Sequence, residues 1–92
     1  MKRLIVSYVE PEELVDVYIG EANEIKSMYG SMNRNITSEL MPYFQGYPKF
    51  NPDRVYGIMI HPNNFYHIIT LDALVRDIFK GNCSVVKNYP LT

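Results

Sequence analysis

The sharpest pattern of apolar and polar positions runs from Val55 to Thr70, Val-Tyr-Gly-Ile-Met-Ile-His-Pro-Asn-Asn-Phe-Tyr-His-Ile-Ile-Thr, two apolar runs divided by turn residues. Pro62 suits the second position of a type I turn, Asn63 the third, and Asn64 tolerates the left-handed conformation that closes a three-residue loop, so the segment predicts a β-hairpin. Antiparallel partners count outward from that loop: His61 faces Phe65, Ile60 faces Tyr66, Met59 faces His67 and Ile58 faces Ile68. One face then carries Tyr56, Ile58, Ile60, Tyr66 and Ile68 and is expected to meet the helices. The other carries Val55, Gly57, Met59, His61, Phe65, His67 and Ile69 and is expected to stay open.

Elsewhere the patterning is less regular. Arg3 to Val9 predicts a strand. Glu10-Pro11-Glu12-Glu13 has the form of a helix start, with proline in the first turn and carboxylates where the helix dipole favours them. Leu14, Val15, Tyr18, Ala22, Ile25 and Tyr29 recur at helical steps, Gly30 is a natural stop, and Gly20 inside the pattern marks a close packing contact. Asn33 and Asn35 offer caps for a short helix over Ile36 to Gln45 in the irregular stretch from Ser31 to Arg54, where Tyr47 to Arg54 reads as loop. Thr70 caps a last helix with Leu74, Val75, Ile78 and Phe79 as its apolar stripe and Gly81 as its stop, followed by a short strand over Cys83 to Lys87 and a tail.

This order, strand, helix, insertion, strand, strand, helix, strand, predicts an α+β ferredoxin-like βαββαβ sandwich. Its four-stranded antiparallel sheet would carry both main helices on one face. Many unrelated activities share that arrangement, so it does not select one.

Composition narrows the classes. Ninety-two residues are expected to form a single domain, 1–92, burying roughly 60–65% of the unfolded surface. With 9 Lys and Arg against 10 Asp and Glu, the formal charge of −1 gives no broad attraction to nucleic acid or anionic membrane. A mean hydropathy of −0.16, with no apolar run near membrane-spanning length, argues against a membrane span. The lone Cys83 excludes an internal disulfide and fits the cytoplasm.

Candidate chemistry is sparse. His61 and His67 share the expected open face, where such a pair can bind a divalent metal or titrate together; with Asp53 as a possible third ligand they raise a small metal-dependent enzyme as one alternative. Two ligands are not a site, and neither a nucleophile nor an orienting carboxylate stands nearby in sequence, so no cofactor and no metal is expected. Cys83 reads as a small buried apolar residue, and the dispersed glycines form no phosphate cradle. Eight tyrosines and four phenylalanines raise the runner-up reading, ahead of the metal-dependent enzyme: single-stranded RNA or DNA stacking on the sheet face. That reading is weakened because Tyr56 and Tyr66 point inward and the central strands lack the RNP signature.

What remains is an association surface. Met59, His61, Phe65 and His67 form a semi-apolar sheet face, and Tyr43, Tyr47 and Phe50 lie in an aromatic, glycine- and proline-containing loop of the kind found at recognition surfaces. Folding of the 31–54 segment over that face would bury it instead. The sequence thus points to a non-catalytic protein-interaction module of regulatory or inhibitor type, binding a protein partner and forming a homodimer as well.

Overall fold

Two hairpins and a returning C-terminal strand build the sheet. The computed structural model describes residues 1–32, 51–63 and 66–90. Along the chain lie β1 (Lys2–Tyr8), β2 (Glu13–Glu21), α1 (Ala22–Met32), β3 (Val55–Ile60), β4 (Tyr66–Thr70), α2 (Leu71–Phe79) and β5 (Cys83–Pro90). The strands form a five-stranded antiparallel sheet in the order β4-β3-β2-β1-β5. This corrects the expected four-stranded ferredoxin-like arrangement with both helices on one face.

The main correction lies at residues 13–21. The helical steps through Leu14, Val15 and Tyr18 do not form a helix; the segment is β2, paired with β1 from Lys2↔Ile19 to Tyr8↔Glu13. The cause is the alternation of Val15, Val17 and Ile19, β-branched side chains that resist the helix and suit a pleated surface. Val15 and Val17 are fully buried, whereas Leu14 on the opposite face is 58% exposed.

The helix begins only at Ala22, where Glu24 Oε1 accepts a hydrogen bond from the Glu21 amide at 3.1 Å, the return half of a capping box. Ala22, Ile25 and Tyr29 are its buried stripe, so that part of the helical periodicity holds, and the helix runs past Gly30 to Met32. Gly20 does mark a close contact: a Cβ there would lie 3.3 Å from Glu24 Oε1.

The hairpin register is as expected over Ile58↔Ile68, Met59↔His67 and Ile60↔Tyr66. The face assignment is half right. Tyr56, Ile58 and Ile68 pack against Ala22, Ile25 and Tyr29 of α1. The face expected to be open is also covered: Met59, at 1% exposure, shares a second core with Leu4, Val6, Val15, Val17, Cys83 and Leu74 of α2, with Ile69 and Ile78 packed alongside. Among the described residues the sheet therefore carries one helix on each side.

The placement of α2 follows from its ends. Thr70 closes β4 and caps the helix in one step, its Oγ1 accepting from the Ala73 amide at 3.2 Å, so no loop separates the two. At the far end Gly81, at φ 78°, completes a Schellman motif in which the Gly81 amide bonds to Ile78 O and the Asn82 amide to Asp77 O, each at 3.0 Å. A nine-residue helix spans roughly 14 Å and a five-stranded sheet about 19 Å, so α2 crosses most of the sheet from the β4 edge toward the β5 edge. The last strand extends beyond the expected Lys87, with Asn88, Tyr89 and Pro90 pairing with Leu4, Arg3 and Lys2. The expected short helix over Ile36 to Gln45 lies outside the described residues.

Candidate interaction face and a coupled histidine pair

Because α1 packs over β2 and β3, the same side of the sheet is left uncovered by that helix across β1 and β5. Register places Arg3 beside Tyr18 and Tyr89, Ile5 beside Asp16 and Lys87, and Ser7 beside Leu14 and Ser84. Arg3 organises this face. Its guanidinium pairs with Asp16 Oδ1 at 2.9 Å and lies 5.9 Å from the Tyr18 ring and 5.5 Å from the Tyr89 ring, a cation between two aromatic faces. The Lys87 ammonium lies over the outer ring, 6.0 Å from Tyr89. Leu14 at 58% and Tyr89 at 38% exposure add apolar surface.

Sequence reasoning missed these residues because it placed Leu14 and Tyr18 on a helix and Tyr89 in a tail. Period-two alternation through Glu13 to Glu21 is the signal that would have found them.

On the other side, a polar chain closes one end of the sheet. Glu13 starts β2, His61 follows β3 and His67 lies in β4, and all three emerge on the α2 side. Glu13 Oε1 stands 2.6 Å from His61 Nδ1, and His61 Nε2 stands 3.0 Å from His67 Nδ1. The ring centroids lie 4.9 Å apart, with 20° between planes. The His61 and Glu13 side chains are only 19% and 22% exposed. Burial, and after it the neighbouring His61, holds His67 below the ordinary imidazole value.

This geometry supports proton sharing better than chelation, since both His61 ring nitrogens already face partners. Asp53 precedes β3 while His61 follows it, at the opposite end of a strand roughly 20 Å long, so it is no third ligand. Among the described residues no group of three or more His, Cys, Asp or Glu is placed to hold a metal ion. Glu13 is the orienting carboxylate that sequence proximity could not reveal, being 48 positions from His61.

Beside this end lies an open cleft of about 410 Å³ lined by Tyr8, Val9, Glu10, Asp77, Gly81 and Asn82. Tyr8 donates toward Met59 Sδ at 3.8 Å, and burial pushes its phenol well above the ordinary range. Cys83 is buried and free, and burial pushes its thiol up, as expected of a small core residue.

Of the residues singled out from the sequence, His61 and His67 are brought together. Met59 is buried beneath α2 and offers no surface. Phe65, Tyr43, Tyr47 and Phe50 lie outside the described residues. No helix among the described residues is long and apolar enough to cross a membrane. Compared with known proteins, the chain matches no family model, no curated protein and no solved structure.

Proposed function

We propose that the protein is a non-catalytic interaction module that binds a protein partner through the β2-β1-β5 face, in a cytoplasmic setting that the free Cys83 suits. The observation that carries this reading is the Tyr18-Arg3-Tyr89 stack, beside exposed Leu14, on a sheet face that neither described helix covers. Tyrosine and arginine are the side chains that supply large, rigid contact area at interface centres, and here the arginine is already held in place by Asp16.

The test is affinity capture with the wild-type chain and with Tyr89→Ser/Leu14→Asp, followed by reconstitution from purified components and NMR mapping of the bound surface. The reading requires a partner that binds stoichiometrically, perturbs β1, β2 and β5 amides, and weakens at least tenfold with the variant. A partner that maps elsewhere, or binds the variant equally well, overturns it.

The same stack favours a second reading, single-stranded nucleic acid lying across Tyr18 and Tyr89. It ranks lower because Asp16 neutralises Arg3, leaving Lys87 as the net cation of the face among the described residues, where phosphate binding draws on several. Fluorescence anisotropy with mixed oligonucleotides at low salt decides it, and no binding at micromolar protein removes it.

A further inference from the structure

Two ring nitrogens 3.0 Å apart can share one hydrogen: one imidazole donates and the other must present a lone pair. Glu13 fixes which edge of His61 takes part, since its carboxylate accepts from Nδ1 and turns Nε2 toward His67. A pair in which both rings are charged carries N–H groups on both sides of the contact, and the contact becomes a repulsion. The contact is also mechanical, because its three residues come from the start of β2, the end of β3 and the body of β4.

We propose that Glu13, His61 and His67 form an acid-sensitive latch, closed by the single hydrogen shared between the rings and opened when the pair takes up a second proton. Opening separates β4 from the end of β3 next to buried Met59 and loosens the hairpin above the α2 core.

Among the described residues, other titratable or charged groups near this end of the sheet lie on β1, α2 and β5. From β1 the facing titratable group is Tyr8, neutral across the relevant range because burial raises its phenol. From α2, Asp77 lies beside Tyr8 on the cleft, Asp72 pairs with Arg54 at 3.6 Å, and Arg76 is exposed. From β5, Cys83 is buried with a raised thiol, and Lys87 belongs to the opposite side of the sheet. The sign follows from His67. Held below the ordinary value of 6.5 when folded, it contributes stability that is present above 6.5 and is lost as pH falls toward its folded value. This device is independent of the interaction face and can fail without it.

The deciding experiment is a titration of the full chain, isotopically labelled, from pH 8 to 4.5, reading histidine ring nitrogens and the hairpin amides' exchange after correction for intrinsic rate. The latch requires two separated ring titrations. As pH falls from 6.5 toward the lower one, the opening constant of the Ile60 and Tyr66 amides rises by up to about tenfold per pH unit and then levels off. His67→Asn keeps a donor toward His61 without a chargeable ring, and its hairpin exchange should be flat over the same range. Rings that titrate as one independent step, or hairpin exchange that follows only the intrinsic rate, overturn the proposal. Should His67→Asn fail to fold, the wild-type titration decides alone.

Discussion

Replacing Met59 separates the two possible arrangements of the sheet. Were its face open to water, Met59→Ser would leave stability nearly unchanged. The structure puts Met59 at 1% exposure, with Val17 beside it on β2, His67 beside it on β4 and Leu74 of α2 in the same core cluster. Truncating such a side chain removes about 1.5–3 kcal/mol of transfer free energy and leaves a cavity, for a total of about 2–5 kcal/mol, and the serine hydroxyl adds a group to satisfy. A chain of this length has a total stability of about 5–14 kcal/mol. The loss is therefore a large share, and at about 4–8 °C per kcal/mol it lowers Tm by at least ~8 °C. Leu14→Ser is the control: the same strand system, but a side chain 58% exposed on the other face, with an expected change within about 0.5 kcal/mol. Thermal melts followed by circular dichroism at pH 7.5 measure both. A Met59→Ser shift below about 2 °C, or a Leu14→Ser shift that equals it, would refute the placement of α2.

Further substitutions and one chemical modification probe local statements. Thr70→Ala removes the acceptor for the Ala73 amide at the junction of β4 and α2 and should cost about 1 kcal/mol by denaturant unfolding, with Thr70→Ser restoring most of it. Gly57→Ala and Gly81→Ala should both destabilise by about 1–2 kcal/mol for different reasons. A Cβ at 57 meets Val17 Cγ1 at 3.2 Å and Ile69 Cγ2 at 3.3 Å, whereas at 81 nothing lies within 4 Å and only the φ of 78° opposes the change. Shortening Ile69 to alanine removes one of the two contacts at 57 and should relieve part of the first cost while leaving the second unaffected, which a double-mutant cycle reads directly. Cys83, 4% exposed with its thiol raised, should react with an aromatic disulfide reagent only after denaturation; prompt reaction of the native chain would contradict its burial.

The sequence was legible wherever a local signal and the tertiary fold agreed. Pro62 and Asn63 placed the turn, and the register of Ile58, Met59 and Ile60 followed. Thr70 and Gly81 bracketed α2 because both caps are satisfied by neighbouring backbone. Between Glu13 and Tyr29 two periodicities overlap: Val15, Val17 and Ile19 repeat at two, Ala22, Ile25 and Tyr29 at three to four. Leu14 and Tyr18 happen to continue the helical phase backward into the strand. With a single window read at one period, β2 disappeared, and with it the face bearing Tyr18 and the carboxylate of Glu13 that orients His61. No local rule brings residues 13 and 61 together; only the β2-β3 pairing does.

The covering of β3 on both sides was, however, written in its own composition. Tyr56 to Ile60 is an unbroken apolar run and not an alternation, and an unbroken run needs cover on both faces, because each successive side chain points to the opposite one. A strand in the interior of the sheet, with Val17 and Ile69 pressed against Gly57 on one side and Ile25 and Tyr29 closing over Tyr56 and Ile58 on the other, meets that requirement. The run ends at His61, whose Nε2 stands 3.0 Å from Nδ1 of His67 on the neighbouring strand. Protonation of both rings would turn that contact into a repulsion, so on the latch proposed above acid should loosen the hairpin at the His61–His67 contact before it disturbs either core.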